Sequence, residues 1–160
     1  MSLKYIEIQC KLDNQGRMKE ERFFKLLSIQ DIQEIAILGQ QLNPSLGIGD
    51  ARDYLIQMFE FQSYQCFGLY IGQQLVGIAS GWITVRLYSG KQLELDNVII
   101  DSEMQSKGLG KFFFNSIKNW AKANKCSTIE LNTYVKNARS HKFYFSLGYS
   151  ILGFHFQKYI

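Results

Sequence analysis

The residues with the most evident chemical potential lie between Val98 and Lys111. There an apolar run, Val98-Ile99-Ile100, passes through Asp101-Ser102-Glu103-Met104 into Gln105-Ser106-Lys107-Gly108-Leu109-Gly110-Lys111. A strand that enters a helix through a glycine-rich turn leaves the first backbone N–H groups of that helix without intrahelical partners. Those donors, the positive end of the helix dipole and the ammonium groups of Lys107 and Lys111 together favour a phosphate group. Gly108 and Gly110 let the backbone approach it closely. Just upstream, Glu94 and Asp96 are two residues apart, so in a strand their carboxylates share one face.

Three phosphate-binding turns have to be separated. The Walker A pattern fails, because Gln105 stands where its first Gly belongs and Phe112 where Ser or Thr would follow Lys111. The dinucleotide pattern GxGxxG fails at its third position, which is Phe113. What remains is Gln-x-x-Gly-x-Gly, formed by Gln105, Gly108 and Gly110, and it resembles the pyrophosphate-binding signature of the GNAT superfamily of N-acetyltransferases. A second stretch, residues 137–149, resembles that family's later motif: Asn137, then Phe143-Tyr144, then Gly148-Tyr149. Ser140 and Phe145 depart from it, standing where a small residue, commonly Ala, and a charged residue are usual.

The resemblance implies acetyl-CoA as co-substrate and direct attack of a primary amine on the thioester, with no covalent enzyme intermediate and no metal. An amine of pKa ~10 is protonated at neutral pH, so the transfer needs a base. The family's usual acidic position corresponds to Asp96, and Glu94 matches the site used by other members. Tyr144 is implied to protonate the leaving thiolate, its phenol being neutral at pH 7. Backbone groups of Val98, Ile99 and Ile100 are implied to pair with the pantetheine arm while a strand N–H polarises the thioester carbonyl. Gln105, Ser106, Lys107, Gly108, Leu109, Gly110 and Lys111 are implied to cradle the pyrophosphate, and Asn137 to bond the cofactor arm. Each residue also has a plain structural use. The glycine turn serves as a helix cap, the carboxylates as exposed or ion-paired strand residues, Tyr144 as a packed aromatic and Asn137 as an N-cap. His141 and His155 lack a nucleophile partner and read as structural or exposed.

The elements that must position these groups follow from periodicity. Residues 22–28 read as a strand, 31–39 as a helix with Ile32, Ile35, Ala36 and Leu38 at helical spacing, and a second helix starts at Asp50 after the break at Asn43-Pro44-Ser45. Residues 66–71 and 75–87 form a hairpin pattern about Gly72-Gln73-Gln74, and 93–100 a further strand. Leu109, Phe112, Phe113, Ile117, Trp120 and Ala121 stripe a helix over 106–124. A strand over 128–135, a helix over 137–147 ended by Gly148, and a final strand over 149–159 complete the order. The expected fold is α/β (α+β): a mixed, mostly antiparallel twisted sheet of six to seven strands with about four helices on both faces, in one domain spanning 1–160.

Composition sets the outer limits. The chain has 160 residues, 46% of them hydrophobic and only one Pro, enough for a core without disulfides. Cys10, Cys66 and Cys126 fit no zinc or CxxC spacing and read as reduced, which, with no apolar run of about 18 residues, points to a cytoplasmic protein with no membrane partner. The net charge of +4 divides unevenly: residues 1–103 hold 9 Lys/Arg against 13 Asp/Glu, and residues 104–160 hold 9 Lys/Arg against the single acid Glu130. The basic part carries the phosphate turn. Asp31, Glu34, Asp50 and Asp53 in the acidic part favour a cationic acceptor, a small-molecule or peptide amine. A nucleic-acid partner ranks last for want of a recognition motif, and a homodimer stays open. The alternative to an N-acetyltransferase is a non-catalytic acyl-CoA-binding or regulatory module of the same fold.

Overall fold

The computed structural model describes residues 21–160, so Cys10 lies outside the described residues. Among the described residues, six strands and four α-helices follow in the order β1 (Arg22–Leu27), α1 (Ile32–Gly39), α2 (Ile48–Phe59), β2 (Tyr64–Ile71), β3 (Gln74–Arg86), β4 (Gly90–Leu95), β5 (Ile99–Ile100), α3 (Leu109–Ala123), β6 (Thr128–Leu131) and α4 (Ala138–Ser146). The mixed α/β architecture agrees with the sequence reading. The sheet runs β1-β2-β3-β4-β6, with β5 also on β3, and every pairing of β1 to β5 is antiparallel.

Two compact units can be distinguished, one ending at Glu130 and one running from Leu131 to Ile160. In the first, the sheet has two differently furnished faces. On one, Leu27, Tyr64, Cys66 and Ile78 form a single cluster with Ile35, Ala36 and Leu38 of α1 and Ala51 and Leu55 of α2. On the other, α3 lays down Leu109, Phe113, Phe114, Ile117 and Ala121, all buried at helical spacing. Phe113 packs on Phe24, and Trp120 meets Phe67 edge-on at 4.8 Å.

The entry to α1 is fixed locally. Asp31 accepts hydrogen bonds from the Ser28 N–H and hydroxyl at 2.8 and 3.0 Å and pairs with Lys25 at 2.8 Å. Burial pushes the Asp31 pKa up, but the bonds from Lys25 and Ser28 outweigh it and hold the carboxyl below its usual range.

Three expectations are corrected. The helix expected from residue 106 starts at Leu109, because Ser106 and Gly108 both take left-handed backbone conformations, with φ of 65° and 74°. The strand expected over 93–100 is broken between Leu95 and Ile99. The final strand expected over 149–159 is not formed among the described residues. Ile151, Phe154 and Phe156 have the bulk that strands favour, but a strand is stabilised by its cross-strand pairs. These side chains are instead 65%, 83% and 89% exposed.

Candidate active site

The break between β4 and β5 is what shapes the site. Gly81 opposes Leu95 and Ile78 opposes Ile99, so Ala79 and Ser80 face Asp96, Asn97 and Val98, two residues against three. This is a bulge, which unpairs one backbone unit and re-aims the chain. It is pinned from β3: the Asp96 N–H donates to the Ser80 carbonyl at 2.6 Å, and the Asn97 amide donates to the Ser80 hydroxyl at 3.1 Å. Gly81 is required beside it, since a Cβ there would collide with the Glu94 backbone carbonyl.

The register places both predicted carboxylates on the face that carries α1 and α2. Glu94 opposes Trp82, and Asp96 continues the ladder opposite Ser80. Their surroundings differ. Glu94 is held by Arg86 at 2.6 Å, which is the ion-paired use that the sequence left open for it. Asp96 lies at the exposed end just past β4. Of the acidic residues expected to draw a cation, Asp31 is engaged by Lys25, and Glu34 accepts from the Tyr70 hydroxyl at 3.4 Å.

Downstream of the bulge, Val98 is half-buried and Ile99 and Ile100 form β5. The turn that follows is fastened at several points. Gln105 donates its amide to the Ile100 carbonyl at 2.9 Å, Gln41 accepts from the Ser102 N–H at 3.1 Å, and the Asp101 side chain caps Glu103. Gln105 therefore acts on the shape of the turn. Gly108 is the N-cap of α3, with open space where a side chain would stand. No side chain caps the helix start and no acidic residue occupies its first turn. Lys107 and Lys111 are exposed, while Leu109 turns its side chain into the core at 2% exposure and Gly110 is half-buried. An anion finds uncapped N–H groups, two cations and room, so the turn fits a pyrophosphate.

The remaining predicted residues belong to the second unit. Asn137 is the N-cap of α4, its side-chain oxygen accepting from the Ser140 N–H at 3.1 Å. This is the N-cap use that the sequence left open. Tyr144 lies half-buried on α4 with Phe143 and Tyr149 rings at 5.5 and 5.9 Å, and burial raises its pKa, so the phenol stays protonated. His141 contacts the Tyr134 carbonyl at 3.1 Å, a structural use.

The sequence reading missed Tyr64, Ser80 and Gly81. Ser80 and Gly81 carry no motif, and Tyr64 reads as an ordinary aromatic at a strand start.

The profile of the acetyltransferase (GNAT) family matches residues 35–149. The chain belongs to this family. Among curated proteins it is similar to "Uncharacterized N-acetyltransferase YhdJ" of Bacillus subtilis (strain 168), 22% identical over 135 residues that cover 84% of this chain and 95% of that one. Solved acetyltransferases share the GNAT fold with it. A possible acetyltransferase from Clostridium difficile 630 superposes with a TM-score of 0.76 at 16% identity, covering 87% of this chain and 97% of that one. The aminoglycoside N-acetyltransferase AAC(6')-Iy in complex with CoA gives 0.75 at 14% identity over 88% and 96%. A putative acetyltransferase from Agrobacterium tumefaciens str. C58 gives 0.73 at 21% identity over 86% and 99%. No helix among the described residues is long and apolar enough to cross a membrane.

Proposed function

We propose that this GNAT protein transfers an acetyl group from acetyl-CoA to the primary amine of a small molecule or peptide. The observation that carries the reading is the turn at residues 105–111, whose left-handed Ser106 and Gly108 deliver an uncapped helix start to an anion between Lys107 and Lys111. Acetyl-CoA supplies the activated acyl thioester. The chain's own groups do the rest: the turn holds the pyrophosphate, and the backbone of residues 98–100 aligns the pantetheine arm. Asp96 takes the proton that the amine must lose, and Tyr144 gives one to the departing sulfur.

Asp96 is preferred over Glu94 because Arg86 already neutralises Glu94. Tyr144 suits a donor because burial keeps it protonated. The acceptor is proposed to be cationic, a choice in keeping with acetyltransferases of the same fold solved with sisomicin and with a CoA-acetylneamine analogue. A reduced, cytoplasmic setting accords with the free thiols of Cys66 and Cys126.

The test is thiol release from acetyl-CoA across a panel of polyamines, aminoglycosides and peptide N-termini, run beside thermal shift with acetyl-CoA. Turnover with at least one amine is expected, and Tyr144→Phe should lower kcat about 100-fold or more at nearly constant donor affinity. Stabilisation by acetyl-CoA without thiol release would replace the enzyme by a binding module. No stabilisation at all would remove the cofactor.

A further inference from the structure

We propose that Tyr64 binds the acceptor amine, its hydroxyl taking a hydrogen bond from the nitrogen that attacks; the assignment rests on the acetyltransferase reading above. Tyr64 is only 6% exposed. Its hydroxyl is fully buried and makes no hydrogen bond among the described residues. Cys66 and Ser80 lie near enough to influence its acidity, yet neither meets the distance and angle of a hydrogen bond. A buried hydroxyl left unpaired costs about 1–3 kcal/mol, so its persistence calls for a partner that arrives from outside.

Position suggests what the partner is. Tyr64 opposes Trp82 across β2 and β3, and the next pair on that face is Cys66 with Ser80, the residue that pins Asp96. The Asp96 carboxylate is close enough to raise the Tyr64 pKa, although burial is the larger cause. The phenol therefore stays neutral and does not compete with Asp96 as base. Phe59 meets Tyr64 edge-on at 5.1 Å and Trp82 lies at 5.3 Å, both half-buried. A neutral acceptor oxygen, a nearby carboxylate and aromatic rings suit a primary ammonium carried on an apolar or aromatic stem. In the step itself Asp96 takes one proton from the ammonium to free its lone pair, the nitrogen–carbon bond forms, the carbon–sulfur bond breaks, and the second proton on nitrogen is released to solvent. The thiolate leaves with a proton from Tyr144, and Tyr64 exchanges none.

The experiment is Tyr64→Phe, followed by steady-state kinetics on the best amine of the panel and by thermal unfolding. The expected result is a rise in KM for the amine of roughly tenfold, an unchanged KM for acetyl-CoA, and a Tm that holds or rises because no internal partner is lost. A Tm several degrees lower would reveal a structural hydrogen bond and overturn the assignment whatever the kinetics. Wild-type turnover matched by the variant would overturn the role of Tyr64 alone. A wild type that releases no thiol with any amine would overturn the acetyltransferase reading and Tyr64 with it.

Discussion

The two faces of the sheet are built on opposite principles. Under α3 the centre of the face is apolar: Phe67, Ala79, Leu93, Leu95, Phe113 and Ile117 are completely buried, and the one buried polar residue of α3, Ser116, bonds the Phe112 carbonyl of its own helix. At its margin lies the turn at residues 105–111, with the uncapped start of α3. On the α1 and α2 face, polar groups are set into the core: Ser80 and Gln92 are buried there, and Gln92 reaches Glu130. Among the described residues, the three buried side-chain atoms without hydrogen-bond partners, Tyr64 Oη, Thr84 Oγ1 and Arg86 Nε, belong to residues of this face. One face is thus built for stability, while the other carries buried polar groups, some of them without a partner among the described residues, at a cost in stability.

The contrast predicts which property each substitution moves. The largest effect is expected from Asp96→Asn, a loss of about 100-fold or more in kcat with unfolding unchanged. Glu94→Gln should stay within a few-fold, because it removes only a partly exposed partner of Arg86. Collapse of the Glu94 variant beside an active Asp96 variant would exchange their roles. Phe113→Ala, on the opposite face, should lower stability by about 3–5 kcal/mol in denaturant melts, with the residual folded protein retaining its KM values. A shifted amine KM there would show that the faces are not separable.

Smaller effects sharpen the same division. Gly108→Ala meets open space but must hold φ near 74°, which costs about 1–2 kcal/mol. It should raise KM for acetyl-CoA and leave that of the amine alone, measured by varying each substrate in turn. The smallest effect concerns Asp31. Its carboxyl is held below the ordinary value in the folded state, so the stability it adds is complete above the unfolded pKa of about 3.9 and is lost as pH falls through the folded one. Asp31→Asn should therefore flatten the acid limb below about pH 4, by no more than about 1 kcal/mol. An unaltered limb would mean that Lys25 and Ser28 do not perturb it.

What the sequence disclosed divides along the same line. The turn before α3 was legible because a left-handed residue at a helix start favours glycine, and Gly108 supplies it. Glu94 and Asp96 were legible because strand alternation fixes their common face. The sequence placed Asp96 only slightly ahead of Glu94, because the pairing of Glu94 with Arg86, eight residues away in sequence and diagonal to it across two strands, is not legible there. Tyr64 was hidden for a related reason: nothing in a Tyr at a strand start tells whether its hydroxyl has a partner. The run from Leu93 to Ile100 reads as one strand because its apolar residues outweigh Asp96 and Asn97, the two strand-disfavouring residues that mark the break after Leu95. In the second unit the aromatic bulk of residues 151–156 suggested a strand, but bulk does not provide the neighbour that a strand requires.

The extra residue between β4 and β5 also changes the parity of the chain. Up to Asp96 it is the even-numbered side chains, Glu94 and Asp96, that look toward the α1 and α2 layer. After it the odd-numbered Ile99 is the one that joins that layer, opposite Ile78. A single deletion within residues 96–98 would not merely shorten a connection. It would remove the bulge and leave an even ladder, in which Ile99 still opposes Ile78 but the chain past Asp96 loses the extra unit that re-aims it. This three-residue interval joins the strand that carries Glu94 and Asp96 to the strand that leads into the turn at residues 105–111.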